Sequence, residues 1–209
     1  MFLSLLEIDS QAHIARTWLG NPYRVHQRLA MAFPKAPSGR VLFRIEEEWS
    51  PPRIIVQAEA QADWDAAFRE FAVLASLPQQ KPVDITAFAG EVLRFRLLAN
   101  PTKRLSAGCP GVKVDGHRVG LFKEADQRGW LERKAAAAGF APLAVEVRPR
   151  STIVSHKNPS KDRSRQSHLA VQFDGQLQVT DPGRLTEAVQ AGIGTAKAYG
   201  FGLLSLARL

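Results

Sequence analysis

Tyr23-Arg24-Val25-His26-Gln27-Arg28 is the segment of this 209-residue chain best equipped to do chemistry. Imidazole titrates near neutrality, so His26 can give or take a proton at physiological pH. On a helix, Tyr23 and His26 stand three residues apart and share a face. Tyr23 could there position the imidazole or a ribose hydroxyl. Arg24 and Arg28, four apart, are expected to flank that face with positive charge. These residue types suit cleavage of RNA without a metal. RNA carries its own nucleophile, the 2′-OH, so a protein need only move protons and stabilise the phosphorane. Taken alone, a histidine beside two arginines on a helix is more often a solvated surface. His13, His117, His156 and His168 are weaker candidates, lying before the helix, in a glycine-rich loop, and in or beside a basic insertion.

A second candidate lies at the end of the chain. Two Gly-x-Gly units, Gly192/Gly194 and Gly200/Gly202, bracket Lys197. Glycine permits sharp turns and close backbone approach to a ligand. Bare N–H groups in such a loop, with a lysine, suit phosphate. The competing reading is a tight helix-to-strand connection.

Charge distribution points to the ligand class. Residues 1–90 carry nine basic and ten acidic side chains, whereas residues 91–209 carry nineteen and ten. A basic excess confined to one half implies a polyanion partner. It is densest between Arg148 and His168, where Arg148, Arg150, His156, Lys157, Lys161, Arg163 and Arg165 face only Asp162. This segment reads as a basic hairpin or surface loop that tracks phosphates.

Several classes find no support. The one cysteine, Cys109, excludes an intrachain disulfide and a multi-cysteine zinc site, and fits a reducing, cytoplasmic compartment. No H-E-x-x-H or EF-hand pattern occurs, so no metal or other cofactor is expected. Glu46-Glu47-Glu48 ends a strand, where alternation sends neighbouring carboxylates to opposite faces. Neither a phosphate-binding loop of ATPases nor a G-x-S-x-G elbow is present. No apolar run reaches the ~20 residues of a membrane helix. The apolar start, Met1 to Asp9, lacks the basic flank of a signal peptide and reads as a strand.

The elements that must position these groups follow from periodicity. Strands are expected at Phe2–Ile8, Val41–Ile45, Ile54–Val56 and Val83–Phe88. Asn21-Pro22 opens a helix that stops before Pro34, and Asp63 caps another carrying Trp64, Ala67, Phe68 and Phe71. In the second half, strands are expected at Val92–Leu98, Leu143–Val147, Leu169–Phe173, Leu177–Val179 and Phe201–Leu206. Asp174-Gly175 is read as a hairpin turn. Helices are expected at Lys123–Ala138 and after Asp181-Pro182. The order is β-α-β-β-α-β twice, an α+β fold of two tandem ferredoxin-like domains, with the boundary near Gly90: residues 1–90 carry the candidate helix, and 91–209 the basic hairpin and glycine loop.

Three stretches together resemble a known family: Asn21-Pro-Tyr-Arg-Val-His-Gln-Arg-Leu29, Phe95-Arg-Leu-Leu-Ala-Asn-Pro-Thr-Lys103, and Gly192 to Leu206. They are similar, in order and over essentially the whole chain, to the CasE (Cse3) family, CRISPR RNA-processing endoribonucleases of the type I-E Cascade complex. The resemblance implies two ferredoxin-like domains and metal-free cutting at the 3′ base of a CRISPR repeat hairpin. It implies 5′-OH and 2′,3′-cyclic or 3′ phosphate ends, and retention on the RNA as a Cascade subunit. The family's catalytic histidine matches His26, its nearby tyrosine Tyr23, and Lys157 best matches its hairpin lysine. His156 stands where that family is expected to carry an arginine. Arg24, Arg28, Arg150, His156, Lys161, Arg163, Arg165, Lys197 and the four loop glycines are the expected RNA contacts. Two other readings fit the same residues: a non-catalytic module that binds an RNA hairpin, and a structural subunit of a ribonucleoprotein. The aromatic stacking motif of single-strand RNA binders is absent, so recognition of a duplex stem by shape and backbone is expected.

Overall fold

The computed structural model describes residues 1–33, 39–105, 118–156 and 165–209. Two four-stranded antiparallel sheets organise them. The first comprises β1 (Phe2–Glu7), β2 (Leu42–Glu46), β3 (Arg53–Ala58) and β4 (Gln79–Pro82), in the order β2-β3-β1-β4. The second comprises β5 (Val92–Ala99), β8 (Phe140–Pro149), β11 (Val171–Val179) and β12 (Leu204–Arg208), in the order β12-β5-β11-β8. In each, the first and third strands are central and the second and fourth form the edges. That is the ferredoxin-like arrangement twice over, as the order of elements predicts.

Alternation explains which face each sheet buries. In β5, Leu93, Phe95 and Leu97 are buried while Arg94 is exposed. These side chains pack against Trp130, Leu131 and Ala135 of α4 (Glu124–Ala137) and Leu185 and Val189 of α5 (Pro182–Ala191). The first sheet packs Leu6, Phe43, Ile54 and Val56 against α1 (His13–Leu19), α2 (Pro22–Ala30) and α3 (Trp64–Phe68). Asp63 and Asp181 cap α3 and α5, accepting from the amides of Ala66 and Arg184.

The two sheets are locked together by buried polar groups. Arg44, 3 % exposed, donates to Glu46 at 2.8 Å and to Ser205 Oγ at 3.0 Å. Gln57 Nε2 donates to the Val189 carbonyl at 2.7 Å. Glu46 also meets Arg96, and Glu48 meets Arg96 and Arg150 at 3.6 and 3.3 Å. The acidic run thus holds arginines of the opposite sheet.

Four expectations are corrected. Asp174-Gly175 is not a turn: β11 runs unbroken through it, paired with β5 and β8. Gly175 is there because an added Cβ would collide with the Ala144 carbonyl oxygen of β8; the glycine serves close strand approach. Val83–Phe88 is not a strand. The fourth strand is the preceding Gln79-Gln80-Lys81-Pro82, a polar edge with no hydrophobic alternation, anchored where Ser4 Oγ donates to Gln80 at 3.1 Å. Helix α1 was not expected, and Ala12 at its start offers no capping side chain. The last strand begins at Leu204 because Gly202 and the residues before it belong to the loop.

The basic insertion is a hairpin. β9 (Ile153–His156) pairs antiparallel with β10 (Arg165–His168). Its tip, with Lys157, Lys161 and Arg163, lies outside the described residues. A shorter ribbon, β6 (Thr102–Arg104) with β7 (Arg118–Gly120), was also not expected.

Candidate active site and RNA interface

Helix α2 presents two different shoulders. Val25 and Leu29 are buried in the first core. His26 and Tyr23 emerge on one side, their rings 6.1 Å apart. Arg28 emerges on the other, its guanidinium 4.4 Å from the Phe71 ring and 5.1 Å from Trp18, with a hydrogen bond to the Ala67 carbonyl at 3.3 Å. The expected flanking of His26 by Arg28 therefore does not occur. Helical geometry puts residues 26 and 28 about 200° apart, and the neighbouring aromatic surface takes the cation. Arg24, two residues from His26, falls on Arg28's side by the same geometry.

His26 stacks on Phe43 of β2 at 6.3 Å, with 15° between the ring planes. Phe43 is fully buried and fixed in turn from above by the glycine loop. Gly200, at φ 85°, brings its backbone over Phe43 so closely that a Cβ would stand 3.2 Å from the ring. Burial lowers the His26 pKa from its ordinary value. The imidazole is thus neutral at pH 7, the form that accepts a proton. Its Nδ1 is buried with no hydrogen-bond partner among the described residues.

The glycine loop folds on itself. Gly192, Gly194, Gly200 and Gly202 all have positive φ. Ile193 N–H donates to the Gly202 carbonyl, and Gly202 N–H to Leu98 of β5, both at 2.8 Å. The amides of Gly192 and Gly200 donate to Ala188 and Lys197. Three of the four glycine amides are thus occupied within the protein, and the loop's structural role dominates at those positions. Lys197 stands on a single 3₁₀ turn, Lys197–Tyr199, that touches α2. Burial, then the nearby charges of Arg40 and Lys134, lower its pKa. Among the described residues none of these three cations has a carboxylate within salt-bridge distance. Cations with no carboxylate partner among the described residues are suited to phosphate. If the polyanion is the RNA hairpin that the family resemblance implies, replacing Lys197 by alanine is expected to weaken its binding about ten- to a hundred-fold, the scale of one charge-assisted hydrogen bond. The melting temperature should hold or rise, since a cation is removed from between two others. Unchanged affinity would leave the loop a structural turn.

Sequence reasoning missed the partners on the far side of Tyr23. Tyr199 stacks on Tyr23 at 5.7 Å; these are the only two tyrosines in the chain. His168 of β10 lies 4.3 Å from the Tyr199 ring, and its Nδ1 is 3.3 Å from the Asn100 amide nitrogen. Leu98, Ala170, Tyr199 and Phe201 form a small apolar cluster here, with Tyr23 and Ile153 against it. The structure therefore brings α2, the glycine loop and the base of the basic hairpin to one place. Arg150 is drawn elsewhere, donating to Gln172 at 2.6 Å and to Glu48. His156 and Arg165 face each other as the outermost pair of the hairpin by backbone register. Among the described residues, no three His, Cys, Asp or Glu side chains gather as a metal site would need. None of their helices is long and apolar enough to cross a membrane.

Tandem ferredoxin-like sheets thus meet at a histidine, two tyrosines and the base of a basic hairpin, groups suited to a polyanion. The chain belongs to the CRISPR associated protein family, whose model matches residues 1–208. It is 34% identical to the CRISPR-associated endoribonuclease Cse3 of Thermus thermophilus, over 99% of this chain and 100% of that protein. It is 35% identical to the CRISPR system Cascade subunit CasE of Escherichia coli, over 96% and 98%. A structure of CRISPR endoribonuclease Cse3 bound to 19 nt RNA superposes with a TM-score of 0.82 at 33% identity, covering 99% of this chain and 98% of that one.

Proposed function

We propose that this protein is a metal-independent endoribonuclease that binds the CRISPR repeat hairpin and cuts pre-crRNA at the 3′ base of the stem. The observation that carries the reading is the placement of His26: a half-buried, neutral imidazole at the meeting point of α2, the glycine loop and the basic hairpin. In the proposed reaction His26 takes the proton of the 2′-OH, and the 2′-oxygen attacks the adjacent phosphorus. The 5′-oxygen leaves and takes a proton from water, and His26 releases its own to solvent, so the ends are a 2′,3′-cyclic phosphate and a 5′-OH. Tyr23 orients the imidazole or the ribose, and Lys157 offsets charge on the phosphorane. His156, Lys161, Arg163 and Arg165 of the hairpin, with Arg24, Lys197 and Gly194, bind the RNA backbone. Residues 1–90 and 91–209 are two domains, the first carrying proton transfer and the second much of the RNA affinity. After cleavage the protein stays on the hairpin as a subunit of Cascade, in the cytoplasm. Its similarity over nearly full length to the named endoribonuclease and to the Cascade subunit supports the RNA-cutting activity and the place in Cascade.

The test of this function is cleavage of a repeat hairpin with EDTA present, where the cut should persist undiminished. A strict Mg²⁺ requirement would contradict it, and binding without cutting would favour a module that only binds the hairpin. The hairpin's share is measured by salt. Neutralising Lys157, Lys161, Arg163 and Arg165 together should weaken binding and flatten log K against log salt by about 0.9 for each phosphate that is no longer neutralised. Arg150 is left out because it holds Glu48 and Gln172. An unchanged slope would show that the hairpin does not track phosphates.

A further inference from the structure

Tyr199 joins two parts of the molecule that carry separate roles in the proposed reaction. Its ring lies on Tyr23, next to His26 on α2. The same ring lies 4.3 Å from His168, and its hydroxyl donates to Gln166 Oε1. Gln166 and His168 both belong to β10, the returning strand of the basic hairpin. The side chain is 6 % exposed, so contact with substrate is not its main role. Burial, then Tyr23, raise the phenol's pKa, keeping it protonated and a donor.

The backbone is bent to hold this ring in place. Ala196, at φ 62°, is the one non-glycine residue of positive φ among the described residues, and it starts the turn that Tyr199 ends. A left-handed backbone is strained for an alanine, whose Cβ crowds the following carbonyl oxygen. Such strain persists where surrounding structure over-determines it, and it concentrates at functional sites. Gly200, also left-handed, closes the turn and seats it on Phe43, the support of His26. One short turn thus touches both the ring beneath the imidazole and the ring beside it.

We propose that Tyr199 is a positioning residue that couples the base of the basic hairpin to the catalytic helix. When the hairpin docks on RNA, Gln166 and His168 fix the Tyr199 ring, and that ring fixes Tyr23 and the line of His26. This rests on the endoribonuclease reading above. A misplacement of about 1 Å at a reacting group can cost up to ~10²-fold in rate, so a linkage of this kind acts on the chemical step, not on affinity.

The test uses the full-length protein and a repeat hairpin RNA, with single-turnover rates at saturating enzyme, dissociation constants and melting temperatures. Tyr199→Leu removes the stacking and should slow the saturated rate about tenfold with Kd within about twofold. Tyr199→Phe and Gln166→Leu each delete only the hydrogen bond. Each should slow the rate about threefold, and the double variant no further, since groups acting through one interaction are non-additive. The Phe and Gln166 variants keep the test open if Tyr199→Leu does not fold. Wild-type rates in both, or losses that multiply in the double variant, would overturn the coupling. So would a loss confined to Kd. His26→Ala is run alongside: if it cuts normally, the endoribonuclease site itself is wrong, whereas its failure with intact Tyr199 variants sinks only the coupling.

Discussion

Replacing His26 by alanine is expected to slow cleavage of a repeat hairpin by ~10²-fold or more, the scale of a lost proton-transfer group. Hairpin affinity should change little, because a neutral imidazole makes few interactions with phosphate. The pH dependence follows from the site. Burial holds the His26 pKa below its ordinary 6.5, so activity should persist through neutrality and fall only once the pH drops beneath that value. Stability shares the sign. His26 and His168 both have lowered pKa values through burial, so below pH 6.5 the unfolded chain binds protons that the folded chain declines. Folding stability should therefore decline with acidification in that range, and less so in His26→Ala. A single-turnover rate near wild type in this variant would remove His26 from the mechanism.

The second large effect belongs to the substrate. A hairpin with a 2′-deoxy sugar immediately 5′ of the scissile phosphate should bind with near-normal affinity and not be cut. The nucleophile is then missing while the phosphates, which dominate binding, remain. No protein group can substitute, because the reading assigns His26 to moving protons and not to attack. Measurable cutting of this RNA would mean that water or a side chain attacks the phosphorus.

What the sequence made legible depends on how local the signal is. Tyr23 and His26 could be paired because helical spacing alone puts them on one face. The same geometry, pushed one step further, places Arg28 on the other shoulder, where Trp18 and Phe71 take it. Both ferredoxin-like units were readable from apolar periodicity in strands such as Val92–Ala99. The polar edge Gln79–Pro82 was not, since it is held by pairing with β1 and not by burial. Asp174-Gly175 has the composition of a hairpin turn, yet the glycine answers to the carbonyl of Ala144, on a neighbouring strand far away in sequence. Phe43, Tyr199 and the β10 pair Gln166 and His168 converge from three separate elements, so no spacing could reveal the group. One clue was present: both tyrosines of the chain fall inside the segments that carry the family resemblance. The glycine loop also reads differently once folded. Three of its four glycine amides are consumed by the protein, and its service to the site is to seat Phe43 beneath the imidazole.

The chemical form of the product ends tests the central claim most directly. Mass spectrometry of a repeat hairpin cut in EDTA should find a 2′,3′-cyclic phosphate, or the 3′ phosphate from its opening, on the upstream fragment and a 5′-OH on the downstream one. A 3′-OH upstream with a 5′ phosphate downstream would show that the 2′-oxygen never attacked, and would contradict the site assigned to His26.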